Sequence, residues 1–145
     1  MPHLSLEISP QGPVLDLLIA PSLPRIAALR RSGHVAPAAM RIRGLVDTGA
    51  TCSCVDPACI EALELTPTGQ SLMHTPSTAG APQMCSQYDV SFVLQHPTLH
   101  VTLPAVGVLS TSLLLMGVHA LIGRDVLSRC LLVYDGSAGR FSLAF

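Results

Sequence analysis

Short runs in which apolar and polar residues alternate recur along the whole chain, each cut off by glycine, proline or a polar cluster. Alternation with period two puts residues i, i+2 and i+4 on one face of a strand. "LSLEI" (4–8) and "VLDLLIA" (14–20) flank the breaker "SPQGP" and read as a hairpin. "MRIRGLV" (40–46), "TCSCV" (51–55), "LHVTLPAVGVL" (99–109) and "HALIG" (119–123) read as further strands. Residues 70–94 give two extended arms around a small-residue tip, Ser77–Pro82, and residues 131–145 give a hairpin turning at Asp135–Gly139. Helical signals are few. "SLPRIAALRRSGH" (22–34) has Ser22 as a cap, an early Pro24 and a terminating Gly33. "DPACIEAL" (56–63) has Asp56 at the N-cap and Pro57 at N1, and "RDVLSRC" (124–130) suits one helical turn or two. Many short strands without a strand–helix–strand rhythm exclude a doubly wound sheet and indicate an all-β, barrel-like or sandwich domain. At 145 residues the chain reads as a single domain, 1–145, with room for a real core.

Composition removes several classes of function. The chain is 49% hydrophobic and only 12% charged, with a formal net charge of −1. All eight basic residues are arginine, scattered apart from Arg30-Arg31, and there is no tryptophan. That gives neither the basic patch nor the stacking aromatics of a nucleic-acid binder. Asp16 and His119 interrupt the longest apolar runs, so no membrane span is expected. The opening "MPHLSLEISPQG" lacks a basic, then apolar, leader. With five cysteines, an odd number, the expectation is a cytoplasmic protein with reduced thiols. Cys52, Cys54 and Cys59 read as buried thiols and not as metal ligands, so neither a metal nor a cofactor is expected. His74 reads as a surface residue and His119 as a packing residue.

Within "RGLVDTGATCSCVD" (43–56), a lone carboxylate follows an apolar strand and precedes a small flexible turn. Asp is depleted in strands, and a buried unpaired carboxylate is costly. Asp47 therefore either starts a turn or sits where its surroundings do chemistry with it. The segment Leu45-Val46-Asp47-Thr48-Gly49-Ala50 resembles the active-site loop of aspartic proteases. "ALIGRDVL" (120–127) resembles the apolar-apolar-Gly-Arg-Asp/Asn segment of retropepsins, the single-domain aspartic proteases of retroviral type. The order of the two motifs, with a hairpin between them, fits that family over about residues 40 to 145.

The resemblance implies a retropepsin-like acid-protease fold: a closed, barrel-like β domain with a flap hairpin and one or two short helices. It implies Asp47 as the catalytic residue and Thr48, Gly49 and Ala50 as loop support, with Thr48 hydrogen-bonding across to the other loop. Gly123, Arg124 and Asp125 are implied as a structural motif beneath the site, and Thr78, Ala79, Gly80 and Ala81 as the flap. Paired carboxylates sharing one proton are needed for this chemistry, and the chain holds no second Asp-Thr-Gly. The second Asp47 must then come from a twofold-related copy. The implied function is a homodimeric aspartic endopeptidase acting on peptide or protein substrates, without nucleic-acid or membrane partners. The alternative is a catalytically silent dimer of the same fold that binds peptides or a partner protein.

The sequence also departs from the viral pattern. Viral members often carry an acidic residue two positions after the loop glycine, as partner of the arginine. Thr51 stands there instead, in a DTGAT-x-S pattern resembling retrotransposon and bacterial relatives. Arg124 then has Asp125 or a backbone carbonyl as its alternatives. Residues 22–39 read as an insertion relative to compact viral members.

Overall fold

A computed structural model describes residues 1–75 and 79–145. In chain order the strands are β1 (His3–Glu7), β2 (Val14–Pro21), β3 (Met40–Val46), β4 (Cys54–Val55), β5 (Gly69–Met73), β6 (Gln83–Gln95), β7 (His100–Ser110), β8 (Ala120–Ile122), β9 (Leu131–Asp135) and β10 (Arg140–Ala144). The helices are α1 (Leu23–Arg31), α2 (Pro57–Ala62) and α3 (Arg124–Leu127), with a 3₁₀ turn at Leu114–Met116. The three helices fall in the three segments that carried helical signals in the sequence.

The strands β2-β3-β8-β4-β7-β6 pair in that order, and β2 pairs again with β6, which closes a six-stranded barrel. The apolar positions of the period-two runs fill it: Leu15, Leu17, Ile19, Ile42, Phe92 and Ile122 are each at most 1% exposed. A smaller apolar cluster of Cys54, Leu109, Leu113 and Val118 packs beside that core. The long β6 has two tasks. Its first half pairs with β5 to form a hairpin, and its second half pairs with β2 and closes the barrel. A register shift between Val90 and Phe92 separates the two halves on the β7 side.

One expectation fails at the start of the chain. β1 does not form a hairpin with β2; it pairs antiparallel with β10, which pairs with β9. The reason is that both edges of β2 are taken, by β3 on one side and β6 on the other. Ser9 and Gly12 do exchange reciprocal backbone hydrogen bonds, so the tight turn exists. It redirects the chain into the barrel without continuing as a ladder.

The predicted caps hold α1 and α2. Ser22 Oγ accepts the Arg25 N–H at 3.4 Å, and α1 ends before Gly33. None of its residues is fully buried, so α1 lies on the barrel surface. Asp56 caps α2 by accepting the Ala58 N–H at 2.9 Å, and does more than the sequence suggested. Its other oxygen accepts the Leu113 and Leu114 N–H groups at 2.7 and 3.1 Å, tying the loop after β7 to the helix start. Burial alone would raise its pKa, but the three backbone donors, with His119 adding to them, outweigh that and hold the carboxyl below the usual range.

Asp56→Ala is accordingly expected to destabilise the fold by about 3 kcal/mol, because it strands three backbone donors. A carboxylate with a depressed folded pKa contributes stability that is complete above its unfolded pKa, near 3.9, and is lost as pH falls through the folded value. Urea unfolding from pH 6 to pH 2.5 should therefore show the wild-type advantage over Asp56→Ala shrinking only in the acid limb. An advantage constant throughout would show that the Asp56 charge is not what stabilises.

Candidate active site

Parallel pairing of β3 with β8 sets Val46 opposite Ile122, so the chain reaches Asp47 beside Gly123. The Asp47 N–H donates to the Ile122 carbonyl at 3.0 Å. On its other side β8 pairs with β4, Cys54 opposite Leu121. The "ALIG" segment therefore lies between the strand that enters the Asp-Thr-Gly loop and the strand that leaves it.

The loop itself is a tight turn, with the Ala50 N–H donating to the Asp47 carbonyl at 3.2 Å. Asp47 is half-buried, while Thr48 and Gly49 are exposed. Asp47 Oδ1 accepts the Gly49 N–H at 2.9 Å. A Cβ at position 49 would stand 3.1 Å from that oxygen and crowd it. Among the described residues Oδ2 accepts no hydrogen bond, which leaves one side of the carboxylate open.

Gly123, Arg124 and Asp125 each hold a different part of this loop. The Arg124 N–H donates to the Ala50 carbonyl at 2.9 Å. Its guanidinium donates to the Thr48 carbonyl and to Thr51 Oγ1, both at 3.0 Å. Of the two alternatives for Arg124 the carbonyl is realised, and the Thr51 hydroxyl stands in for the missing acid. Asp125 turns the other way: it accepts the Ser53 N–H at 2.9 Å and the Ser53 hydroxyl at 2.8 Å. Ser53 Oγ in turn accepts the Gly123 N–H at 3.0 Å. A Cβ on Gly123 would lie 2.7 Å from the Cys52 carbonyl carbon and 3.0 Å from the Ala50 oxygen, so only glycine fits.

Ser53, fully buried, is the residue that sequence reasoning missed, and Thr51, noted there only as replacing an acid, is a partner of Arg124. The signal for Ser53 was a polar residue inside an apolar run. The predicted "TCSCV" strand shrinks to Cys54–Val55 because Ser53 directs its N–H to Asp125 instead of a ladder partner.

Cys54 and Cys59 are buried, Cys52 is half-buried, and all five cysteines are free. Burial, then the neighbouring Cys52 and Cys85, push the Cys54 thiol up to about 12, so it is protonated at neutral pH and a poor nucleophile. Among the described residues no cluster of three His, Cys, Asp or Glu side chains is arranged to hold a metal ion. His119 Nδ1 accepts the Arg43 N–H at 3.1 Å, and His74 is exposed. In the β5–β6 hairpin, Ala79 and Gly80 form the turn with φ of 48° and 80°, and Ala81 is exposed. Thr78 lies outside the described residues.

A closed six-stranded barrel with an Asp-Thr-Gly loop clamped by a Gly-Arg-Asp segment defines a retropepsin-like aspartic protease domain. Residues 38–132 match the family model described as aspartyl protease, and the chain belongs to that family. It is similar in fold to the crystal structure of a retropepsin-like aspartic protease from Rickettsia conorii, with a TM-score of 0.61 and 14% sequence identity over 99% of this chain and 90% of that one. No curated protein matches it. Among the described residues no helix is long and apolar enough to cross a membrane.

Proposed function

We propose that this aspartic protease works as a homodimeric endopeptidase whose active site joins the Asp47 of two copies. The observation that carries the reading is the half-finished site: one Asp-Thr-Gly loop per chain, with Asp47 Oδ1 engaged and Oδ2 open. Two carboxylates about 3 Å apart cannot both ionise, so a facing pair shares one proton. The ionised Asp47 takes a proton from water as it attacks the scissile carbonyl. The neutral one donates its hydrogen bond to the carbonyl oxygen, where charge develops.

Two further features support the reading. β9 is one of the two edge strands of the β1-β10-β9 sheet and carries exposed Leu131, Val133 and Tyr134. An open strand edge with apolar side chains suits pairing with a second copy. The β5–β6 hairpin, with its exposed turn at Ala79–Ala81, suits a flap that folds over an extended peptide. Free thiols throughout fit a reducing, cytoplasmic setting.

A diverse peptide library tests the proposal. Wild-type protein should cut a subset of peptides, a statine-type transition-state analogue should block it, and Asp47→Asn protein should cut none. Saturable peptide binding without cleavage would favour the silent, peptide-binding dimer instead.

A further inference from the structure

Between α3 and the base of the β5–β6 hairpin runs an open groove of about 350 Å³. Its walls include Cys52 from the end of the active-site loop, Ser71 and Gln87 from the two arms of the hairpin, and Asp125 and Arg129 from α3 and the residues just after it. Cys52 lies five positions after Asp47, so the end of the active-site loop forms one wall of the groove.

Two of the lining residues are charged, and they differ in what they have left to offer. Asp125 is engaged by the Ser53 N–H and hydroxyl and by the Val126 N–H. Arg129 is exposed, and among the described residues no hydrogen bond or ion pair engages its guanidinium. The contrast with Arg124 is direct, since that guanidinium is held by Thr48 and Thr51. Leu103, Ala105, Val106, Leu109 and Val126 line much of the groove, and its polar groups besides Arg129 are Ser71, Gln87 and the already engaged Asp125. An unengaged guanidinium there matches a carboxylate, which it can hold with two parallel hydrogen bonds.

Resting on the protease reading above, we propose that this groove is a specificity site for an acidic side chain of the peptide substrate. Arg129 supplies the counter-charge, and Ser71 and Gln87 supply neutral hydrogen bonds. Because Ser71 and Gln87 stand on the hairpin, a seated carboxylate also links that hairpin to the barrel.

The test starts from a peptide that the library shows to be cut, N-acetylated and C-amidated so that the side chain under test is its one variable carboxylate. Glu, Gln or Lys is placed in turn at positions two to five on either side of the cleaved bond. For wild type, kcat/KM should favour Glu over Gln about three- to tenfold at one position, the range of a partly exposed charged pair. The ratio should fall to about one in Arg129→Gln, and Lys should be preferred to Glu in Arg129→Glu. In about 0.5 M salt the wild-type preference should weaken.

Equal kcat/KM for Glu and Gln at every position, or a Glu preference that survives in Arg129→Glu, would overturn the proposal while leaving the protease reading intact. Library peptides carrying Glu, Gln or Lys at single positions, titrated into Asp47→Asn protein by fluorescence anisotropy, separate the opposite failure. Charge-dependent binding there, lost in the Asp47→Asn/Arg129→Glu double variant, would support the groove even if wild type cut nothing.

Discussion

Asp47→Asn protein is expected to fold as the wild type does and to lose peptide cleavage by about 10² to 10⁴-fold. The substitution keeps the side chain's shape and leaves an amide oxygen to accept the Gly49 N–H, now held by Asp47 Oδ1 at 2.9 Å. It removes the group that takes a proton from water, and positioned acid–base groups contribute about 10² to 10⁴ in rate. Circular dichroism and urea unfolding should match wild type while initial cleavage rates collapse. A variant that unfolds, or one that still cuts, would contradict the assignment of Asp47 to chemistry.

Gly123→Ala should produce a large loss of stability. The added Cβ would stand 2.7 and 2.8 Å from the Cys52 carbonyl carbon and oxygen, and 3.0 Å from the Ala50 oxygen. All three neighbours are backbone, so no side chain can rotate away. Overpacking against fixed atoms of this kind costs about 3 kcal/mol, equivalent to roughly 6–12 °C in Tm for a domain of this size. Any relief moves Ala50 to Ser53, and with them the Arg124 and Ser53 contacts that shape the Asp47 loop. Gly136→Ala is the control: its nearest neighbour is a Tyr134 ring carbon at 3.5 Å, and the change should stay within about 0.5 kcal/mol. Equal melting temperatures for the two variants would remove Gly123 from its structural role.

The two segments that meet at the site were legible in the sequence because their demands are local. An apolar strand that ends on Asp-Thr-Gly, and a glycine between an apolar pair and Arg-Asp, are residue types forced by close backbone approach. Strand runs such as 40–46 were legible because period two is a one-dimensional signal. The partner of β1 was not legible: proximity along the chain suggested β2, while the choice of β10 depends on which edges barrel closure leaves free. The duties of Thr51, Ser53 and Asp56 were hidden or half hidden for a related reason. Which oxygen meets which N–H is decided in three dimensions, and Asp56 read as a helix cap gives no hint of Leu113 and Leu114. Arg124 and Arg129 look alike in sequence, yet one guanidinium is tied to the loop and the other, among the described residues, is unengaged.

The claim that two chains build one active site is tested most directly by mixing. Wild-type and Asp47→Asn chains are combined at fixed total protein, subunit exchange is confirmed by mass spectrometry, and the cleavage rate is followed against the wild-type fraction. A mixed dimer holds one carboxylate and cannot maintain a shared proton, so it should be nearly inactive. With random pairing, activity then falls as the square of the wild-type fraction, and equal mixing leaves about a quarter of it, as twofold assembly requires. A straight line through one half at equal mixing would mean that each chain is complete on its own, and would contradict the paired-Asp47 mechanism.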